Sequence, residues 1–337
     1  MRKSKLIAAI AGAVVIALGG AGLAVGDYVY TSGTKVPCAV NSDAVDNFPD
    51  QFTTSTYNSG PFRGPGWNKW VKHDLSDWWL VGFPFEEKMI EVEEGISLST
   101  WWIPAAEPNT KKTVIVTHGI GSSKKGYTTL LPTSMLVKSG LNVLLVDLRD
   151  SGNSTCTDGR HSAGQEESSD LAVLADYLIE EKGIPVGSIG MFGVSGGAIA
   201  TSLLPAKTDK VSAFAMEGTI FDFNAAATKE VEYQGFPGFL WQLALTSAQL
   251  LHGVNLVETD VKDSIQKAGS RPMLILHGDN DQRLSYESSV AFYDYAKSVG
   301  VDISLERFEG ADHTEGMLLE TDRYANLLSE FFNNNLG

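Results

Sequence analysis

IGMFGVSGGAIATSLL, residues 189–204, decides how the rest of this chain is read. Ile189 to Phe192 is a short apolar run of the kind that forms a buried strand, and Ala198 to Leu204 reads as a helix. Between them Gly193-Val194-Ser195-Gly196-Gly197 leaves only a sharp turn. A serine at such a turn has a strained backbone and an Oγ that projects clear of the sheet. Glycines two before and two after it avoid the clash that side chains would make there. Ser195 is therefore the candidate nucleophile.

Outward from this turn, the same kind of apolar run recurs at Met89 to Val92, Leu98 to Ile103, Thr113 to Thr117, Val143 to Asp147, Val211 to Met216, Met273 to Leu276 and Ile303 to Phe308. Helical patterns separate the later runs. The reading is an α/β fold: a mostly parallel eight-stranded sheet with helices on both faces. Glu93-Glu94-Gly95 marks a hairpin that makes the first two strands antiparallel. The interval between Met216 and Met273 is longer than one crossover needs. Its Phe236, Phe239, Leu240, Trp241 and Leu243 read as a small helical cap insertion, at about 218–270, with two helices packed on the sheet as the alternative.

A serine alkoxide needs a base, and the chain has six histidines. His118 and His277 each end a buried strand and precede a glycine, which assigns them to backbone turns. His73, His161 and His252 follow no sheet strand. His313, in Gly310-Ala311-Asp312-His313-Thr314, lies in a loop just past the last strand, from which an imidazole reaches the turn at Ser195. The acid that orients it belongs after the preceding strand, in His277-Gly278-Asp279-Asn280-Asp281. Asp281 is the choice; Asp279, within the immediate turn, is its rival and reads as a backbone-bonding residue. Two backbone N–H groups should face the developing oxyanion: Gly196, and Ile120 in His118-Gly119-Ile120-Gly121, with Gly121 as substitute.

Taken together, Gly-Val-Ser-Gly-Gly at 193–197, His-Gly-Ile-Gly at 118–121, His-Gly-Asp-Asn-Asp at 277–281 and Ala-Asp-His at 311–313 resemble the alpha/beta-hydrolase superfamily. The likeness runs from about Glu86 to the C-terminus, particularly to abhydrolase-domain, prolyl-oligopeptidase-like and membrane-anchored bacterial members. It implies a serine hydrolase acting on a small-molecule or lipid-like acyl ester or thioester through an acyl-enzyme, with no metal or organic cofactor. A serine peptidase and a non-catalytic tethered binding module are the alternatives. One departure stands out: Asp147-Leu148-Arg149-Asp150-Ser151-Gly152 is similar to the family's Asp-x-Arg-Gly-x-Gly turn, but Asp150 stands where glycine is usual.

The remaining features concern location and organisation. Lys and Arg total 26 against 41 Asp and Glu, a formal net charge of -15, which repels nucleic acid. Leu6 to Val25 carries no charge and as a helix would span about 30 Å, one hydrocarbon core. Arg2, Lys3 and Lys5 precede it. The expectation is a single-pass signal-anchor over 1–26 in the cell membrane with the catalytic domain extracytoplasmic. If a signal peptide were cleaved near Ala24-Val25-Gly26, the protein would instead be secreted. Residues 27–85 read as a linker and N-terminal wrap, and 86–337 as the hydrolase domain. Cys38 and Cys156 are the two cysteines, and either one bridge or two thiols fits the sequence.

Overall fold

A computed structural model describes residues 19–36, 38, 48–49, 73–106 and 109–337. One sheet holds β1 (Glu86–Glu93), β2 (Ile96–Ile103), β3 (Thr113–Thr117), β4 (Asn142–Val146), β5 (Ile189–Val194), β6 (Ala213–Glu217), β7 (Met273–Gly278) and β8 (Ile303–Phe308), in the spatial order 1-2-4-3-5-6-7-8. β1 pairs antiparallel with β2, and β2 antiparallel with β4; the other pairings are parallel. The α/β-hydrolase architecture expected from the sequence is the one observed.

The two-residue period of a strand divides the core. Along β3, Val114 and Val116 pack on one face and Ile115 on the other. α1 (Tyr127–Lys138) covers the first face. α2 (Gln165–Glu180) and α3 (Gly196–Leu203) cover the second. Trp101 on β2 is completely buried, its ring 5.4 Å from that of Phe85.

After β6 the chain forms α4 (Phe223–Tyr233) and α5 (Leu240–Ser247), which stand off the sheet as a cap. α6 (Val261–Ala268), also inside the expected insertion, instead turns Val261, Ile265 and Ala268 into the second face. It is followed by α7 (Tyr286–Ser298) on that same face. α8 (Gly316–Leu319) and α9 (Thr321–Asn335) complete the first. From β3 the chain moves outward to β4 and then returns on the other side to β5. The loops after β3 and β5 therefore diverge and open a crevice at the carboxyl ends of the strands, where open α/β sheets bind ligands.

The N-terminal segment departs from the expectation. Residues 1–18 lie outside the described residues, and a helix over residues 19–33 runs through the expected boundary at 26. Ser247 Oγ donates to the Leu23 carbonyl (2.8 Å). A Cβ on Gly26 would come within 2.2 Å of the Leu243 carbonyl oxygen, so the two backbones are in direct contact. Tyr30 is buried with Trp241, Ala244 and Leu256. Among the described residues no helix is long and apolar enough to cross a membrane. These findings correct the expected signal-anchor, the membrane as a partner and the cell-membrane, extracytoplasmic location drawn from them. At the described end of the apolar run, Gly22 and Leu23 meet α5, while residues 19–21, Ala24 and Val25 are exposed.

Cys38 and Cys156 form a disulfide across 118 positions of sequence, with Cα atoms 5.6 Å apart. Asp150 explains the loop that carries Cys156. It adopts a left-handed φ of 60°, and its carboxylate accepts from Thr157 N, Thr157 Oγ1 and Gly159 N. Aspartate tolerates this conformation when its side chain bonds nearby backbone, so the departure from glycine adds an anchor for residues 155–159.

Candidate active site

β5 ends in Val194, and Ser195 follows with φ 53° and ψ -113°, a conformation outside the ordinary regions for a non-glycine residue. The tightness of the turn explains its glycines: a Cβ on Gly193 would lie 2.2 Å from the Gly197 carbonyl oxygen, and one on Gly197 would lie 2.6 Å from that of His118. The Ser195 N–H donates to the Glu217 carbonyl (2.8 Å), fixing the turn against β6.

His313 Nε2 lies 3.0 Å from Ser195 Oγ, and His313 Nδ1 lies 2.7 Å from Asp281 Oδ2. The loops that bring them together are clipped to each other. Asp312 Oδ1 accepts from Gln282 N (3.0 Å), and Asn280 N donates to the Ala311 carbonyl (3.0 Å). Asp281 Oδ1 accepts from the backbone N–H of Arg283 and of Leu284, both at 2.8 Å. Burial raises the pKa of the Asp281 carboxyl, but hydrogen bonds from His277 and His313 outweigh it and hold the group well below the usual carboxylate range. Asp279 points elsewhere, binding Gly310 N and the Arg307 guanidinium at the surface.

Sequence reasoning placed His277 in a backbone turn and missed its side chain. Its Nε2 lies 3.1 Å from both Asp281 Oδ2 and the Leu284 carbonyl, and its Nδ1 lies 2.6 Å from Ser289 Oγ. A carbonyl only accepts, so Nε2 carries the proton and donates. Two imidazoles thus converge on one carboxylate oxygen. The four-residue spacing of His277 and Asp281 was visible in the sequence, but Ser289 comes from α7 and carried no signal.

The loop after β3 presents Ile120. A Cβ on Gly196 would lie 2.8 Å from Ile120 N, so the Ile120 N–H and the first turn of α3 border the same small space. His118 orients this loop. Its Nε2 accepts from Leu148 N (3.0 Å), which leaves the proton on Nδ1 to be donated to the Gly119 carbonyl (2.8 Å). Burial holds this imidazole below its ordinary pKa, consistent with the neutral tautomer. With the Gly119 carbonyl pinned, the trans peptide turns the Ile120 N–H to the opposite side.

Beneath the loop, Lys124 is completely buried, and its Nζ donates to Asp147 Oδ2 (2.7 Å) and Ser99 Oγ (2.6 Å). Glu217, at the end of β6, faces the buried Tyr324 hydroxyl, but Glu217 Oε2 and Tyr324 Oη close no hydrogen bond of normal geometry. Burial, opposed by that hydroxyl and reinforced by the Asp281 charge, pushes the Glu217 pKa up to about 8. The metal-type grouping of Cys38, Asp150 and Cys156 is a cystine beside a carboxylate and offers no free thiolate.

Ser195 opens into a cavity with about 870 Å³ of empty space, part of it continuous with solvent. Ile120, Gly196 and Ile199 line it from the sheet side, and Phe223, Val231 and Trp241 from the cap.

The family model described as the prolyl oligopeptidase family matches residues 129–337, more than half of the chain. The chain belongs to the prolyl oligopeptidase family. A curated relative, an uncharacterized peptidase named YuxL from Bacillus subtilis, is 23% identical over 272 residues. These cover 74% of this chain but 39% of that protein, so the chain spans about two fifths of the relative's length. Among solved structures, the Pyrococcus furiosus esterase Pf2001 superposes with a TM-score of 0.61 at 22% identity, over 78% of this chain and 95% of the other. A Mycobacterium tuberculosis puromycin-hydrolyzing peptidase gives 0.63 at 17% identity, over 77% of this chain and 40% of that one. At these identities the structural likeness speaks for the fold alone. Family and fold together place this member of the prolyl oligopeptidase family in the α/β-hydrolase superfamily.

Proposed function

We propose that this hydrolase cleaves a carboxylic ester or thioester by an acyl-enzyme route, with Ser195, His313 and Asp281 as the triad. The Ser195–His313–Asp281 relay, at the floor of a mainly apolar cavity, carries this reading. Ser195 Oγ attacks the substrate carbonyl carbon as its proton passes to His313 Nε2. The carbonyl oxygen becomes an oxyanion facing the N–H groups of Ile120 and Gly196. The bond to the leaving group then breaks, and His313 returns the proton to the departing atom. Water, deprotonated by the same imidazole, attacks the acyl carbon and releases the acid and Ser195. His277 and Ser289 act as positioning residues that hold Asp281. The catalytic domain in this reading is 86–337, with the cap inside 218–270.

Peptide or amide cleavage is the second reading. It is favoured by the family match and by the peptidase among the relatives. Fluorophosphonate labelling of wild type and Ser195→Ala, with the adduct mapped by mass, tests the nucleophile: an adduct at Ser195 alone is expected, and an unlabelled, folded wild type would overturn it. Turnover of p-nitrophenyl acyl esters against aminoacyl p-nitroanilides then decides between ester and amide.

A further inference from the structure

The cavity at Ser195 has a third wall that no catalytic motif predicts. Val29, Gly33 and Thr34, from the helix over residues 19–33 and the residue that follows it, line the space opposite the sheet. This helix is fastened along its length. Besides the Leu23 and Gly26 contacts with α5, Asp27 Oδ1 meets His252 Nε2 at 2.6 Å. Past the helix, His161 N donates to the Thr34 carbonyl (2.9 Å) and Val36 N to the Gly159 carbonyl (2.7 Å). The Cys38–Cys156 disulfide then ties the segment to the loop that Asp150 anchors. Helix and cap share one buried cluster, Tyr30 with Trp241 and Ala248, separate from the two cores of the sheet.

We infer that this helix is the specificity-determining wall of the acyl pocket and that Val29 sets how large an apolar acyl group can enter. The inference rests on the acyl-enzyme reading of Ser195. While acylated, Oγ holds the acyl carbon, and the room open to the rest of that group is this cavity. Val29, Phe223, Val231 and Trp241 make its far side apolar. The charged groups on the lining, Glu230 and Arg283, are paired with each other at 3.1 Å, so neither calls for a charged substrate group. The occupant is an alkyl or aryl acyl chain. Val29 is half-buried and packs at the edge of the Tyr30–Trp241 cluster.

The test compares labelling rates of the full chain with fluorophosphonates carrying an ethyl or an octyl chain. In Val29→Trp, the octyl-to-ethyl ratio of labelling rates at Ser195 falls about tenfold, the scale of one methylene losing its space. Val29→Ala widens the wall and raises the octyl-to-ethyl labelling ratio above that of wild type. The ratio of kcat/KM for p-nitrophenyl octanoate to that for the acetate moves in the same directions. Equal changes for both chain lengths in Val29→Trp, or none for either, overturn the inference. Failure of wild type to label with either probe would instead overturn the assignment of Ser195, a separate outcome.

Discussion

The two sides of the cavity are built by different means. On the sheet side, polar groups are locked: Asp281 accepts two backbone N–H bonds on Oδ1 and meets two imidazoles on Oδ2. His118 has both ring nitrogens engaged, and Lys124 is enclosed by its partners. On the cap and N-terminal helix side, Val29, Phe223, Val231 and Trp241 meet the cavity largely through carbon, and Phe239 and Leu250 on the same cap remain exposed. Hydrogen bonds fix direction, which proton transfer demands. Apolar packing fixes volume more loosely and tolerates substitution. On the proposed acyl-enzyme reading, reaction geometry belongs to the strand ends and substrate size to the apolar wall, and variants on the two sides should fail in different ways.

The largest effect is expected at Asp281. Asp281→Asn puts an amide where Oδ2 now accepts from His313 Nδ1, so the imidazole is held in the wrong tautomer. A fall in kcat of about 10⁴ follows, with folding intact. Asp279→Asn, which touches only Arg307 and the turn at Gly310, leaves kcat essentially unchanged. Steady-state kinetics with one p-nitrophenyl ester checks both, and reversed effects would exchange the two assignments.

Next comes stability. Lys124→Met leaves the buried Asp147 carboxylate without its cation and should lower unfolding free energy by about 3–5 kcal/mol, read by denaturant titration. Truncating the half-buried Val231 to Ala on the other wall should cost less than about 2 kcal/mol, because it strands no charge. Comparable losses would erase the distinction between the two sides.

A smaller effect separates positioning from chemistry. His277→Ala removes one of the two donors on Asp281 Oδ2. It should lower kcat by about 10- to 100-fold with KM unchanged, through a misaligned His313. His277→Gln, which keeps an N–H, should recover part of that loss. A KM effect without a kcat effect would place His277 outside the relay.

These contrasts also mark what was legible in the sequence. The eight strands were, because a strand buried on both faces is a continuous apolar run whatever surrounds it. The meeting of Ser195, Asp281 and His313 was, because each lies on a loop just past the end of a strand. The N-terminal helix was not: an apolar stretch reads the same whether lipid or Leu243 and Trp241 lie beside it, and its partners are more than 200 positions away. His277 was missed because its role depends on α7 delivering Ser289, a contact with no local trace. The cystine likewise needed the fold to choose between two open readings.

The smallest effect tests the sheet side where its pairing is incomplete, at Glu217. With its pKa raised to about 8, the folded chain keeps a proton that an unfolded glutamate releases near its ordinary value of 4.5. The native state therefore binds more protons throughout that window, and this group's contribution to stability is full below pH 4.5 and declines as pH rises through about 8. From pH 7 to pH 8 the decline is about 1 kcal/mol. Glu217→Gln keeps the shape and removes the titration. The difference in unfolding free energy between variant and wild type should thus drift in the variant's favour from pH 6 to pH 9. A difference that stays flat would mean that Glu217 is ionised at neutral pH, placing a second carboxylate beside Asp281. The closed network around Asp281 would then be open on its β6 side.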